Sequence, residues 1–168
     1  MSEYKEDFRP PFFRLSCKVG HFIFQQILLF FYRRFGCIKV VTILFVCTGN
    51  AARSQIAEGL LKNMKSEFLV LSAGTNPEGL HKNAVKVMAE IDLDISNQTS
   101  KYLADVNWKD ADFAITLCGS ANKTCVMMDW PKSCKKDYWP IKDPKTDDDF
   151  RTVRDDLKQR IETFLEII

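Results

Sequence analysis

The stretch that decides the fold is Val40 to Ser54, which reads Val-Val-Thr-Ile-Leu-Phe-Val-Cys-Thr-Gly-Asn-Ala-Ala-Arg-Ser. Its first half is an apolar, β-branched run that ends at Cys47, as in a parallel strand buried on both faces. A loop of small residues follows, and a helical pattern begins at Ser54. A strand, a tight loop and a helix in this order predict an anion-binding site, because loop amides and a helix N-terminus carry partial positive charge.

The small residues of the loop suit an anion-binding backbone. Gly49 and Asn50 tolerate the positive φ angles that a loop wrapped around an anion needs. Two alanines after them add no bulk. The predicted oxyanion-binding residues are Thr48, Gly49, Asn50, Ala51, Ala52, Arg53 and Ser54.

The cysteine at the mouth of this loop is the predicted nucleophile. Arg53 offers a planar fork of donors that matches a tetrahedral oxyanion, and its charge favours thiolate over thiol at Cys47. Ser54 can cap the helix and can also donate to the thiolate. A free cysteine is more often a small buried hydrophobe. The spacing, the glycine and the strand-to-helix context together favour the nucleophile.

Length and composition restrict the class of protein. The chain has 168 residues, of which 46% are hydrophobic and 27% charged, as in a globular protein with one substantial core. A net charge of +2 argues against a nucleic-acid partner. The six cysteines are irregularly spaced, which argues against a disulfide framework. A thiolate nucleophile works in a reducing compartment, so we expect a cytoplasmic protein.

The chain divides into an N-terminal extension, residues 1–39, and a domain, residues 40–168. Residues 21–34 are apolar with a basic end, but they are shorter than the roughly 20 apolar residues that span a bilayer. This segment is an extra helix packed on the domain, an interfacial membrane helix, or upstream sequence absent from the mature protein. The first and third interpretations are favoured over membrane contact. Cys17 and Cys37 receive no catalytic role.

The rest of the chain alternates predicted strands and helices. The predicted strands are 40–46, 68–71, 113–117 and 138–141; the predicted helices are 54–64, 83–91, 100–106 and one that begins at 146–149. Residues 119–136 are predicted to be a long connection. The pattern predicts an α/β fold with a small doubly wound, four-stranded parallel sheet. Ligands bind at the carboxyl ends of such strands, where Cys47, Cys118 and Asp143 lie.

Several motifs in the domain together resemble one family. They are Cys47-x5-Arg53-Ser54, Ser72-Ala73-Gly74-Thr75, Thr116-Leu117-Cys118 and Asp143-Pro144. With these motifs the chain resembles the low-molecular-weight tyrosine phosphatase superfamily, and more narrowly the thioredoxin-coupled arsenate reductases built on that fold. Cys118 and Cys125 stand where those reductases carry a redox pair. Lys145 follows Asp143-Pro144, where the phosphatases usually carry an aromatic residue.

The resemblance implies a sequence of thiol reactions with arsenate as substrate. Cys47 attacks arsenic, Arg53 and the loop amides hold the oxyanion, and Asp143 is the general acid. Cys118 then attacks Cys47, and Cys125 attacks Cys118 and carries the disulfide to the surface. Thioredoxin reduces that disulfide, so no tightly bound cofactor is implied. Paired thiols of such a relay are expected to be exposed.

Metal binding is not predicted from the residues. Some reductases of this fold bind potassium through residues that match Asn50 and Glu58, which are both present but do not by themselves predict the ion. His21 and His81 lie in no ligand motif. Cys134 lies in a lysine-rich stretch and is interpreted as a spectator, with a role as resolving thiol as the alternative.

Two other functions remain open from the sequence. A phosphatase acting on phosphotyrosine or another phosphomonoester would use Cys47, Arg53 and Asp143, because phosphate and arsenate are close in shape. A membrane-tethered regulator would use the loop only to sense an oxyanion, with residues 21–34 as its anchor. The Cys118 and Cys125 pair favours the reductase over both.

Overall fold

The structure, a computed structural model, describes residues 40–168. The predictions for the N-terminal extension, including its apolar segment, Cys17 and Cys37, lie outside the described residues. In the described part, no helix has both the length and the apolar character needed to cross a membrane.

One parallel sheet of four strands organises the domain. The strands are β1 (Thr42–Cys47), β2 (Leu69–Gly74), β3 (Phe113–Thr116) and β4 (Lys135–Tyr138). Their order across the sheet is β2-β1-β3-β4, and every neighbouring pair is parallel. All six residues of β1 are buried, as the continuous apolar run predicts for a central strand. The predicted fold class, a small doubly wound four-stranded parallel sheet flanked by helices, is confirmed.

Four α-helices flank the sheet: α1 (Arg53–Met64), α2 (Lys82–Ala89), α3 (Gly119–Val126) and α4 (Asp147–Leu165). Helices α1, α2 and α4 pack against one another, and α3 packs against β1 and β3. The start of α4 is fixed by a capping box, in which Thr146 accepts from the Asp149 amide and Asp149 accepts from the Thr146 amide. The helix start predicted at 146–149 is therefore confirmed.

Some predicted elements differ from the structure. The predicted strand 68–71 is in fact β2, which continues to Gly74 because the turn-like sequence Ser72-Ala73-Gly74 pairs with the end of β1. The predicted strand 138–141 is wrong: β4 is Lys135–Tyr138, and all four of its residues are exposed. Trp139 and Ile141 are buried after the strand, so their apolar character reflected packing and not strand pairing.

The predicted helix 100–106 is also wrong, because only a single 3-10 turn, Leu103–Asp105, forms there. Conversely, the predicted connection 119–136 contains α3, whose sequence Gly-Ser-Ala-Asn-Lys-Thr-Cys-Val is rich in weak helix formers. Burial of Ala121 and Cys125 against the sheet stabilises this helix where intrinsic propensity does not.

Candidate active site

The loop between β1 and α1 turns its carbonyl groups outward. The carbonyls of Cys47, Thr48, Gly49 and Ala51 accept from the amides of Thr75, Asn76, Glu78 and His81, at 2.9–3.2 Å. Because the carbonyl and amide of one peptide unit point in opposite directions, these bonds turn the loop amides inward. Within residues 40–168, the amides of Thr48, Gly49, Ala51 and Ala52 donate to no protein acceptor. The loop therefore has free backbone donors on its inner side, an arrangement that suits an anion.

Asn50 is the centre of this loop. Its φ is +44°, in the left-handed region, and it is fully buried. Its side-chain amide donates to Ser54 Oγ at 2.9 Å and to Ser72 Oγ at 2.8 Å. Its Oδ1 accepts from the Lys101 amide at 2.8 Å and from Gln55 Nε2 at 3.2 Å. All the hydrogen-bonding capacity of the side chain is used to hold the backbone in one conformation.

The contacts of Asn50 extend to the cysteine. Cys47 is 2% exposed, and its Sγ lies 2.9 Å from Ser54 Oγ and accepts from the Asn50 amide at 3.2 Å. Because Ser54 Oγ accepts from Asn50, its own hydrogen is free to point at Cys47. The sulfur thus lies within hydrogen-bond distance of one backbone amide and one hydroxyl.

The predicted cap role of Ser54 is wrong. The N-cap of α1 is Ala52, which makes no side-chain cap bond, and Ser54 is the second residue of the helix. Its hydroxyl is used at Cys47 instead of at the helix amides.

A close approach of the neighbouring strand requires a glycine beside the loop. A Cβ on Gly74 would lie 2.6 Å from the Thr48 carbonyl oxygen and 2.9 Å from Asn50 Cβ. Both distances are shorter than packed atoms allow, and the first contact is with backbone that cannot move aside. Gly74 therefore contributes to the site, because its lack of a side chain leaves space for the loop.

Arg53 links the loop to the segment after β4. Its Nη1 donates to the Ile141 carbonyl at 3.2 Å, and its Nη2 lies 2.7 Å from Asp143 Oδ1. The side chain of Arg53 is 13% exposed and that of Asp143 is 70% exposed. The structure thus brings the two predicted residues into contact with each other, with the carboxylate on the solvent side.

Cys118 lies beside the nucleophile loop. Its Sγ is 3.2 Å from Thr48 Oγ1, and Thr48 follows Cys47 directly in the chain. The contact joins the carboxyl ends of β1 and β3, which are neighbours in the sheet. The structure therefore brings a second thiol to the rim of the oxyanion loop, as the sequence predicted.

Cys125 lies in the last turn of α3, two turns from Cys118. It is 4% exposed and Cys118 is 8% exposed, so the expectation of an exposed pair is wrong. Burial, together with the negative charge that Cys118 can carry, raises the pKa of the Cys125 thiol to about 11. Cys134 is also buried, and burial raises the pKa of its thiol above the ordinary value. The described cysteines are all free thiols in this state.

Several polar residues that hold the loop have no role among those predicted from the sequence. Gln55 donates to the Asn50 carbonyl, Ser100 donates to the same oxygen, and Lys101 donates through its backbone. Ser72 and Gln55 are polar residues in buried positions of a strand and a helix, a signal that the sequence offered. Residues 100 and 101 come from a distant segment, and no sequence pattern links that segment to the loop. Within residues 40–168, no group of three His, Cys, Asp or Glu side chains is placed to hold a metal ion.

Comparison with known proteins agrees with this geometry. Residues 42–168 match the family described as low molecular weight phosphotyrosine protein phosphatase. The chain is 40% identical over 126 residues to an arsenate reductase of Staphylococcus xylosus, which covers 73% of this chain and 95% of the relative. It is 43% identical over 131 residues to an arsenate reductase of Oceanobacillus iheyensis, which covers 73% and 93%.

Solved structures give the same result for the fold. An arsenate reductase in the phosphate binding state superposes with a TM-score of 0.66 at 32% identity, over 77% of this chain and 99% of the other. A low molecular weight protein tyrosine phosphatase from T. tengcongensis superposes with a TM-score of 0.68 at 24% identity, over 76% and 99%. The resemblance stated from the sequence motifs is confirmed, and the chain belongs to the low molecular weight phosphotyrosine protein phosphatase family.

Proposed function

We propose that this protein reduces arsenate to arsenite, with Cys47 as nucleophile and with Cys118 and Cys125 as a relay that thioredoxin restores. The observation that carries the proposal is the second thiol at the oxyanion loop, with Cys118 Sγ 3.2 Å from Thr48 Oγ1. A phosphatase reaction transfers no electrons and needs no such thiol. The arsenate reductases among the sequence relatives support the same choice.

In the first step, arsenate binds to the inward amides and to Arg53. The Cys47 thiolate attacks arsenic, and an arsenic–oxygen bond breaks. Asp143, held near the loop by its 2.7 Å contact with Arg53, protonates the departing oxygen, which leaves as water. The loop amides stabilise the charge on the remaining oxygens without having to reorganise.

In the second step, the Cys118 thiolate attacks the Cys47 sulfur. The new bond is the Cys47–Cys118 disulfide, and the sulfur–arsenic bond breaks with its electron pair on arsenic. Arsenic is reduced from As(V) to As(III) by two electrons, and the two thiolates are oxidised to one disulfide. The position of Cys118 at the loop rim supports this attack without movement of the sheet.

The third step requires α3 to unwind. Seven residues of helix separate the Cα atoms of Cys118 and Cys125 by about 10 Å, at about 1.5 Å per residue. A disulfide requires a Cα separation of roughly 4.4–6.8 Å, so the pair cannot form while the helix is intact. Unwinding lets Cys125 attack Cys118, which frees the Cys47 thiolate and leaves a Cys118–Cys125 disulfide.

In the last step, thioredoxin exchanges its two thiols for the Cys118–Cys125 disulfide and is itself oxidised. The unwound segment carries that disulfide outward from the buried positions that both sulfurs hold in the reduced state. Because the reaction consumes free thiols, we place it in the reducing cytoplasm.

A coupled assay tests the proposed function. Purified protein with thioredoxin, thioredoxin reductase and NADPH is expected to consume NADPH only when arsenate is added. Cys118→Ser should remove this consumption, whereas Cys134→Ser, a buried thiol outside the relay, should retain it. Absence of arsenate-dependent NADPH consumption by the native protein would contradict the proposal.

A second assay separates the reductase from the phosphatase alternative. The loop, Arg53 and Asp143 could also cleave an aryl phosphate, because phosphate and arsenate have the same tetrahedral shape. If the protein is a phosphatase, Cys118→Ser will retain cleavage of a chromogenic aryl phosphate, and arsenate will act only as an inhibitor. If it is a reductase, arsenite will accumulate in proportion to the NADPH consumed.

A further inference from the structure

A buried carboxylate lies behind the oxyanion loop. Glu58 is in the middle of α1 and is 3% exposed, and its Oε2 accepts no hydrogen bond within the described residues. Two buried amide oxygens, Gln55 Oε1 and Gln98 Oε1, are also without a donor there. A charge in such a place requires a counter-charge, because burial removes its hydration.

Two lysines supply that counter-charge. Lys62 Nζ bonds Glu58 Oε1 along α1, and Lys101 Nζ lies 3.8 Å from Oε2. Lys101 Nζ also donates to the Thr99 carbonyl at 2.8 Å. The lysine ammonium thus interacts with a carboxylate and a carbonyl, which are the ligand types that an alkali cation takes.

This charge count does not fit a potassium ion. One carboxylate already faces two ammonium groups, so the three side chains carry a net charge of +1. A further cation would be repelled by Lys101 at short range in a poorly hydrated place. Asn50 and Glu58 match the potassium ligands of some reductases. Both are present here, but the two ammonium groups already balance the carboxylate and would repel the ion.

Lys101 also connects this pair to the catalytic loop. Its backbone amide donates to Asn50 Oδ1 at 2.8 Å, and its carbonyl accepts from the Gly74 amide at 2.8 Å. Asn50 in turn holds Ser54, the donor to Cys47. The position of the Lys101 backbone thus bears directly on the conformation of the loop.

We propose that the Lys101 ammonium is a built-in counter-ion of Glu58 that replaces a bound potassium ion and makes the oxyanion loop independent of that ion. Lys101 is a positioning residue, since it acts through Asn50 and does not touch the oxyanion. The inference needs only an oxyanion-binding loop, so its test uses inorganic phosphate and does not depend on arsenate turnover.

Thermal unfolding is the first test. The native protein is compared in potassium chloride and in tetramethylammonium chloride at equal ionic strength, because the bulky cation cannot enter a buried site. The same Tm is expected in both salts. Lys101→Met should have a lower Tm that potassium selectively raises, whereas Lys62→Met, whose side chain is 45% exposed, should show no selectivity. Selective stabilisation of the native protein by potassium would overturn the proposal.

Phosphate binding, measured by calorimetry, reports on the loop itself. Lys101→Met is expected to bind phosphate about fivefold more weakly in tetramethylammonium chloride, because the loss of one hydrogen bond in the loop corresponds to about that factor. Potassium chloride should restore the affinity. Lys101→Arg should retain the native affinity in both salts, and Lys62→Met should remain within about twofold of it. An unchanged affinity in Lys101→Met, or a loss that potassium does not restore, would overturn the role of Lys101. If Lys101→Met does not fold, Lys101→Gln serves for the same comparison.

Discussion

The loop 47–54 and helix α3 are built in opposite ways, although Cys47 and Cys118 at their starts are close together. In the loop, outward carbonyls are bonded to a neighbouring segment, and Asn50 is fixed by both ends of its side chain. In α3, weak helix formers are held by two buried residues and by two bonds from outside the helix, from Thr116 Oγ1 to Asn122 Oδ1 at 2.9 Å and from Trp130 Nε1 to the Cys125 carbonyl at 2.8 Å. We therefore expect the loop to be rigid and α3 to unfold at a lower cost in free energy.

This difference matches the two tasks of the proposed reaction. Stabilising a developing oxyanion requires donors that are already in place, because reorganisation during the reaction costs free energy. Passing a disulfide between sulfurs requires one sulfur to travel, because about 10 Å of helix separates Cys118 from Cys125. A fixed loop beside a marginal helix provides both.

The largest effect is expected from the nucleophile. Cys47→Ser should lower arsenate turnover by a factor on the order of 10⁴, because the hydroxyl is a far poorer nucleophile and the other residues act through it. The measurement is arsenate-dependent NADPH consumption in the coupled assay. The matched control is Cys134→Ser, which should stay within about twofold of the native rate, since no contact in residues 40–168 joins that thiol to the loop. A comparable loss in the control would contradict the assignment.

The relay predicts a difference between single and repeated turnover. Cys125→Ser should release about one arsenite per protein and then stop, because the Cys47–Cys118 disulfide forms but is not resolved. Cys118→Ser should release none. The readout is arsenite per protein without reductant, followed by the steady rate with thioredoxin. Sustained turnover of Cys125→Ser would show that another thiol, such as Cys134, resolves the disulfide.

Alanine substitution of one asparagine in the loop and one in α3 compares the stability of the two regions. Asn50→Ala should lower the free energy of unfolding by about 3 kcal/mol, because several buried partners lose their bonds and alanine disfavours positive φ. Asn122→Ala should cost about 1 kcal/mol, since one bond is lost. Denaturant unfolding measures both, and equal costs would remove the contrast between the two regions.

A smaller effect concerns pH. Burial raises the pKa of Cys125 to about 11, so its thiol is protonated at pH 7 and its thiolate fraction rises with pH up to that value. Alkylation of Cys125 by iodoacetamide in the reduced protein should therefore accelerate by about tenfold per pH unit from pH 7 to pH 10. Peptide mapping of the labelled thiol is the measurement. A rate that levels off near pH 9 would indicate an exposed thiol with an ordinary pKa.

The sequence was informative where function and local pattern coincide. Val40 to Ser54 shows its strand, loop and helix start in consecutive residues, so the position of the loop and of Cys47 at its start could be predicted. The carboxyl-edge rule for parallel strands then placed Cys118 near Cys47. The catalytic roles stay predictions for Cys47, Arg53, Asp143 and the two relay thiols.

Other parts of the structure depend on contacts that no local pattern carries. Strand β4 consists of exposed Lys, Asp and Tyr residues, and its place is set by pairing with β3. Helix α3 has poor intrinsic propensity, so it could not be distinguished from a loop. Lys101 contacts the loop across 51 positions of the chain, a separation that residue spacing cannot reveal.

The most direct test of the account is mass spectrometric mapping of the disulfide present after one arsenate turnover without reductant. We expect a Cys118–Cys125 disulfide with Cys47 and Cys134 as free thiols, and loss of hydrogen-exchange protection along α3 in the same sample. A disulfide between Cys118 and Cys134, or an oxidised protein in which α3 keeps its protection, would contradict the claim that this helix unwinds to carry the oxidising equivalent outward.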